Sequence, residues 1–299
     1  MAANDTATAA TAVAPTASSS YDGPGEWDLD RVDAGAYLQR IGVDGPLTAS
    51  ADTLRRLHLG HIRSIGFENV DVFLGGVPDL DIGAIQDKLV ARGRGGYCYE
   101  HNLLFSAVLE RTGFTVTRLL ARVQMGSDAI RPRTHMCLLV EHDGDRWLAD
   151  VGFGSQTLRE PITYRAGATA VQDGWGYRLA TTGSTTGDLA RLQAADGPDR
   201  WLDLYVFDEV AQHHVDIGLS NHYTATHPQS RFIGRLIAQH RGDDERHVLI
   251  DTELTTTTVD GAVRRTDVAP DRVPDLLASD FGIRLSPHEA AAVVDRLTT

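Results

Sequence analysis

The sequence is short of cysteine, of basic residues near its start and of long apolar runs, and each shortage removes a class of protein. Two cysteines in 299 residues, Cys98 and Cys137, cannot build a disulfide framework or a cysteine-rich zinc site, so each thiol is free for other work in a reducing compartment. The first basic residue is Arg31, which leaves no positive region ahead of an apolar stretch and hence no signal peptide. No window approaches the roughly 18 apolar residues of a membrane-spanning helix. Cations are scarce overall: 28 Lys and Arg against 41 Asp and Glu give a net charge of −13, a poor field for gripping nucleic acid or anionic lipid. With 42% apolar and 23% charged residues, the chain is otherwise ordinary and long enough to bury a sizeable core. A cytoplasmic enzyme fits these absences best.

Alanine, threonine and serine fill 15 of the first 20 positions without periodicity. Such a segment buries too little to offset its ordering entropy, so residues 1–26 read as a disordered tail. From 27 to 113 the apolar period is helical: Tyr37, Leu38 and Ile41 stop at Gly42; Ser50 caps Leu54, Leu57, Ile62 and Ile65; Asp81 caps a third helix that Gly93 ends; a fourth runs from about Cys98 to Gly113. From 114 to 225 short β-rich runs alternate with turn residues, the pattern of a small antiparallel barrel. The remainder, 226–299, mixes a helix over Arg231 to His240, a hairpin through HVLIDTEL and a turn at Asp260-Gly261, and helical pieces after Pro274 and Ser286. The fold class is α+β: an N-terminal helical bundle, a central antiparallel β-barrel and a C-terminal α/β lid.

Other signatures fail on single residues. Gly93 and Gly95 begin a G-x-G-x-x-G, but its last position is Cys98 and it lies between two helices. His288-Glu289 begins an HExxH whose last position is Ala292. His213, His214, His222 and His227 lack the carboxylate or cysteine spacing of a metal site and read as surface or capping histidines. No metal is expected.

The chemistry concentrates in Gly93-Arg94-Gly95-Gly96-Tyr97-Cys98. The glycines let a substrate approach the main chain, and the helix that follows puts Cys98 in its first turn, where free amides and the positive dipole end favour a thiolate. Cys98 is a candidate nucleophile; a buried structural cysteine is the alternative. A nucleophile needs a base, and the base an orienting group. The runs THMCLLVEH and RWLADVGF meet at an Asp143-Gly144 turn, a register that sets His135 opposite Gly152 and Asp150 opposite Cys137. His135 and Asp150 then share a face as diagonal neighbours, and a slip of one residue would separate them. A self-satisfied core pair is the competing reading, since buried charge in an apolar strand pair needs a partner.

RGGYCYEHN, THMCLLV and LADVGFG, in that order, resemble the three catalytic segments of the arylamine N-acetyltransferases, and IGFENVDVFLG, WLDLYVF and SNHYTATHPQSRF are similar to further stretches of that family. The resemblance covers everything except the tail. One departure is Gly66, where the family often has proline. The likeness implies that Cys98 accepts an acetyl group from acetyl-CoA, that His135 forms a thiolate–imidazolium pair with it, and that Asp150 orients His135. It implies an apolar amine pocket of Phe67, Phe153 and Phe232, cofactor contacts from Gly152, Gly154, Tyr223 and Ser230, and an oxyanion held by backbone amides near Cys98. CoA is anionic, so nearby cations must compensate: Arg131, Arg133, Arg231, Arg235, Arg241 and Arg246 are the candidates. Expected partners are a small-molecule arylamine and CoA, with a homo-oligomer as the alternative to a monomer, and no nucleic acid or membrane. The same triad would also serve an amide synthase closing a macrolactam from a carrier-bound polyketide, or a cysteine hydrolase.

Overall fold

A computed structural model describes residues 25–184, 187–197 and 199–299. The expected tail therefore lies outside the described residues except at its end, where Gly25 and Glu26 belong to the fold. The Glu26 carboxylate accepts the main-chain N–H of His214 at 2.7 Å.

The first layer is helical, with helices α1 (Ala34–Ile41), α2 (Ala51–Ser64), α3 (Val70–Phe73), α4 (Ile82–Gln86) and α5 (Cys98–Thr112). Its punctuation follows the sequence at Ser50 and Asp81, whose side chains accept first-turn amides, and at Gly42, which ends α1 in the left-handed region; Asp33 adds a further cap to α1. α5 is buried on every side from Cys98 to Leu109, the mark of a central helix.

The second layer is an eight-stranded antiparallel sheet built from β2 (Thr115–Val123), β3 (His135–His142), β4 (Asp145–Ala149), β5 (Ile162–Thr163), β6 (Thr169–Gln172), β7 (Trp175–Ser184), β8 (Gly187–Ala195) and β9 (Trp201–Phe207), in the order β5-β4-β3-β2-β9-β8-β7-β6. Its hairpin β3–β4 turns through Asp143 and Gly144 at φ +50° and +85°, and Leu138 pairs with Ala149, the register that the Asp-Gly turn predicts.

Helix α6 (His214–Thr226) leads to the third layer, a five-stranded sheet of β1 (Phe67–Glu68), β10 (Ile237–Arg241), β11 (Glu245–Ile250), β12 (Glu253–Thr258) and β13 (Val263–Asp267), closed by α7 (Val273–Asp280) and α8 (Pro287–Thr298). Two assignments differ from the sequence reading. The helix expected over Arg231 to His240 is a turn followed by β10. Phe232, Ile233, Leu236 and Ile237 are spaced as on a helix, but the Asn69 side chain captures the carbonyls of Phe232 and Arg235 and the amide of Ile237, pinning this segment open. Conversely, α6 falls where strands were expected, because its inward residues are Ile217, Asn221, Thr224 and Ala225, too polar to show a helical period.

Beneath the Cys98 loop lies a buried ionic cluster. Lys88, the only lysine in the chain, reaches Glu100 at 2.7 Å and Asp71 at 2.5 Å. Arg94 meets Glu68 at 2.8 Å, Asp71 at 2.9 Å and Glu289 of α8. Burial opposes the Lys88 ammonium, but Glu100, Glu68 and Asp71 outweigh it and hold its pKa above the ordinary lysine value. Glu100 in turn accepts the Tyr97 amide at 3.0 Å, so the cluster fixes the residue before Cys98. Removing one member of such a set strands its partners in low dielectric. Lys88→Met is therefore expected to cost about 3 kcal/mol or more by the same rule, measured by urea unfolding.

Candidate active site

The start of β3 and the start of α5 come together at a cavity of about 710 Å³. Cys98 sits at the first position of α5, 4% exposed, with Sγ 3.8 Å from the carbonyl of Thr134. His135, the first residue of β3, shares the cavity wall with Cys98, and its Nε2 stands 2.7 Å from Asp150 Oδ2. Burial works against the imidazolium, but the Asp150 charge and hydrogen bond, aided by Cys98, lift the His135 pKa to about 9. Burial would raise the pKa of Asp150, yet His135, the Gly152 amide and Asn102 keep it below the ordinary carboxylate value. The rings of Phe153 and Tyr205 close on His135, each with centroids 4.8 Å away.

The other thiol, Cys137, is fully buried in the barrel core, and burial drives its pKa well up. A thiol so placed stays protonated and inert.

Gly152 lies past the β4 ladder, and the space a side chain would need there belongs to the nucleophile helix: a Cβ would fall 2.7 Å from Cys98 Cα. Gly66, where proline was anticipated, has an equally local cause, since a Cβ would sit 2.4 Å from the Phe281 carbonyl. The C-terminal segment packs directly on that turn.

Of the remaining expected residues, Phe67, Phe153, Phe232, Gly152, Tyr223 and Ser230 all line the cavity. Gly154 does not; it packs behind the wall against the Gln239 side chain. The arginines divide. Arg131 and Arg231 line the cavity, and Arg231 is made more acidic by partial burial and by Arg131. Arg133 is spent on Asp208, and Arg235 is exposed away from the lining. Arg241 and Arg246 are 1% and 6% exposed, set against Trp175 with guanidinium carbons 4.9 and 3.4 Å from its ring centre, so neither is available to a ligand at the cavity mouth.

Two further residues touch the triad, the first of them the last residue of the RGGYCYEHN run. Asn102, one turn after Cys98 on the same helix face, donates to Met136 O at 2.8 Å and Asp150 Oδ1 at 3.1 Å. Its i+4 spacing from Cys98 is the sequence signal for it. His58 of α2 receives the Asp150 amide at 3.2 Å; its signal is a polar residue on an otherwise apolar helix face. Its neighbour His61 accepts from Tyr37 OH and faces His101, both at 2.8 Å, and His101 Nε2 donates to Gly96 O at 2.9 Å.

A cysteine and histidine on a cavity wall, with a carboxylate behind the histidine, define a thiol acyl-transfer or hydrolytic centre. The family model described as N-acetyltransferase matches residues 50–290. An arylamine N-acetyltransferase of Mycolicibacterium smegmatis is 40% identical over 262 residues, covering 85% of this chain and 93% of its own. The solved structure of the arylamine N-acetyltransferase from Mycobacterium abscessus superposes with a TM-score of 0.87 at 35% identity, covering 91% of this chain and 97% of that one. The Mycobacterium marinum arylamine N-acetyltransferase in complex with CoA gives 0.80 at 35% identity, covering 89% and 97%. The chain belongs to the arylamine N-acetyltransferase family. No helix among the described residues is long and apolar enough to cross a membrane.

Two outcomes are expected. Gly152→Ala forces the backbones apart, costing about 1–3 kcal/mol and slowing Cys98 alkylation, read by urea unfolding and iodoacetamide kinetics. His58 and His101 are held neutral by burial, with pKa values of about 4, and His61 is pushed well below its ordinary value. The unfolded chain binds protons at these sites near pH 6.5, so their stabilisation is complete above that pH and lost as pH falls toward 4. Thermal melts should lose stability by up to about 4 kcal/mol per pH unit in that window.

Proposed function

We propose that the protein transfers an acetyl group from acetyl-CoA to the nitrogen of an arylamine, arylhydrazine or similar amine, through an acetyl thioester on Cys98. The observation that carries this reading is the His135 imidazole, which lines the same cavity as Cys98, is bonded to Asp150 at 2.7 Å and has its charged form favoured by both. His135 takes the thiol proton and leaves a thiolate beside an imidazolium. The thiolate attacks the acetyl carbonyl, the carbon–sulfur bond to CoA breaks, and CoA leaves as a thiol with the proton from His135. The amine then attacks the Cys98 thioester, His135 removes its proton, and the Cys98 thiolate departs as the amide forms. Asp150 keeps the imidazole oriented and stabilises its charge throughout. The main-chain amide at the start of α5 is the donor assigned to the oxyanion.

Aromatic amines are neutral at pH 7, so they enter an apolar recess without shedding a charge; Phe67, Phe153 and Phe232 are the assigned walls, with Phe67 and Phe232 ring centres 6.0 Å apart. Gly152, Tyr223 and Ser230 are assigned to the cofactor side. Arg131 and Arg231, with no acidic partner among the described residues, supply the cations that CoA phosphates require in a chain of net charge −13. In this scheme the layer over 27–113 supplies the nucleophile, that over 114–225 the base and its carboxylate, and that over 226–299 the lid. Two free, buried thiols suit the reducing conditions of the cytoplasm.

Intact-mass spectrometry after incubation with acetyl-CoA is expected to find one added acetyl group on the wild type and none on Cys98→Ser, whose turnover with an aniline acceptor should be abolished. Cys137→Ala should acetylate normally, losing about 1–2 kcal/mol of core packing. Absence of acetyl labelling on wild-type Cys98 would instead favour a carrier-bound acyl donor, and release of acetate without any amine would favour a hydrolase.

A further inference from the structure

The triad carboxylate sits where the sheet has just ended. The last rung of the β3–β4 ladder joins Leu138 to Ala149, so the main-chain N–H of Asp150, one residue on, has no strand to donate to. It donates instead to Nε2 of His58, 3.2 Å away on α2. An amide N–H can only donate, which makes Nε2 the bare nitrogen of the ring and puts the hydrogen on Nδ1. Nδ1 then donates to the carbonyl of Arg159 at 3.1 Å.

His58 thus spans the two ends of the segment 150–159, which carries Gly152, Phe153, Ser155 and Gln156 of the cavity wall. The far end is anchored independently: the Arg159 guanidinium is 2.8 Å from Asp173 and donates to Gly242 O at 2.9 Å. The ring itself is fully buried and held edge-on by Phe105 with centroids 5.6 Å apart. Only one charge state fits, because a second proton would set an N–H against the Asp150 N–H; the pKa of about 4, driven down by burial, agrees.

We infer that His58 is a positioning residue for the acyl-transfer site: it takes the place of the missing rung at Asp150 and thereby sets the direction in which that carboxylate meets His135. The inference rests on the triad assignment, but its consequences appear in Cys98 reactivity without any acyl donor. Besides His135, Asn102 and the Gly152 amide act on the Asp150 carboxylate. Its backbone is held at the N–H by His58 and at the carbonyl by the Thr157 hydroxyl, 2.6 Å away, so His58 is the group that fixes the peptide entering Asp150.

Two variants separate positioning from mere packing. His58→Leu fills similar volume with neither donor nor acceptor, while His58→Gln restores an acceptor for Asp150 N–H and a donor for Arg159 O. For the folded His58→Leu protein, kcat is expected to fall roughly tenfold, the scale of one hydrogen bond held in the transition state, with KM for the amine little changed. The pH profile of iodoacetamide alkylation at Cys98 should move to higher pH, and His58→Gln should recover most of both losses. Wild-type kcat and an unmoved alkylation profile in folded His58→Leu would overturn the inference, as would a His58→Gln protein no better than Leu. A measurement on the unaltered protein covers the case in which the Leu variant does not fold. Nitrogen-15 NMR of the imidazoles should find His58 protonated on Nδ1 and not titrating down to about pH 5. An Nε2-protonated ring, or one titrating near 6.5, refutes it. Should acetyl labelling of wild-type Cys98 fail, the transferase assignment falls, while the alkylation and imidazole measurements still decide the role of His58.

Discussion

Asn102 is the cross-link between the two halves of the site. The nucleophile belongs to a helix and its base to a strand, and nothing in secondary structure holds a helix end against a strand end to within a hydrogen bond. Asn102, one turn below Cys98, donates to the carbonyl of Met136 beside His135 and to the carboxylate of Asp150, and it accepts the amide of Val151 at 3.2 Å. A single amide side chain therefore bonds to the strand of the histidine, to the aspartate and to the loop beyond it. Gly152 completes the approach by letting the main chain of that loop touch the helix. The separation of Cys98 and His135 follows from these contacts, and the rest of the fold bears on chemistry by keeping them.

The charged cluster below the loop serves the same end from the other side. Burying Lys88, Arg94, Glu68 and Glu100 is costly, and replacing such a set as a whole by well-packed hydrophobic residues is often neutral or stabilising, although removing one member is not. What the cluster supplies is direction. Glu100 fixes Tyr97, Arg94 spans Glu68, Asp71 and Glu289, and the turn carrying Gly96 cannot shift without separating buried opposite charges. A glycine-rich segment has little stiffness of its own; here charge pairs and the Gly96 carbonyl bond to His101 provide it. The C-terminal helix α8 takes part through Glu289, tying the last element of the chain to the residues before its nucleophile.

What could be read from the sequence is what local rules govern. The caps at Ser50 and Asp81, the stop at Gly42, the Asp143-Gly144 turn and the register it sets are near-neighbour effects, and one turn sufficed to bring His135 and Asp150 to one face. Cys98 stood out because a run of glycines followed at once by a helix start places a thiol among free main-chain amides, again a purely local arrangement. The segment 231–240 was opaque because Asn69, more than 160 residues earlier, decides its conformation. Arg241 and Arg246 read as candidate cations for CoA because their stacking on Trp175, which joins different sheets, leaves no mark in the sequence. His58 was opaque for the same reason: its significance lies in a carbonyl and an amide about a hundred residues away.

Four imidazoles around the site share nearly complete burial and yet carry opposite shifts. His58, His61 and His101 face neutral partners, namely carbonyls, an amide, a tyrosine hydroxyl and one another, so desolvation decides and the rings stay uncharged. His135 faces a carboxylate and a thiol, and there the pair interaction exceeds the same desolvation. Burial alone would make all four poor bases. The distinction that creates one positive charge among four equivalent rings is the presence of Asp150, and Asp150 remains anionic because two N–H donors and the imidazole surround it. The neutral rings contribute by the reverse property: an uncharged imidazole donates at one nitrogen and accepts at the other, which lets it bridge main-chain groups that water would otherwise satisfy. Keeping three histidines neutral and charging the fourth are thus two results of one dry environment, separated by where the chain puts a single carboxylate.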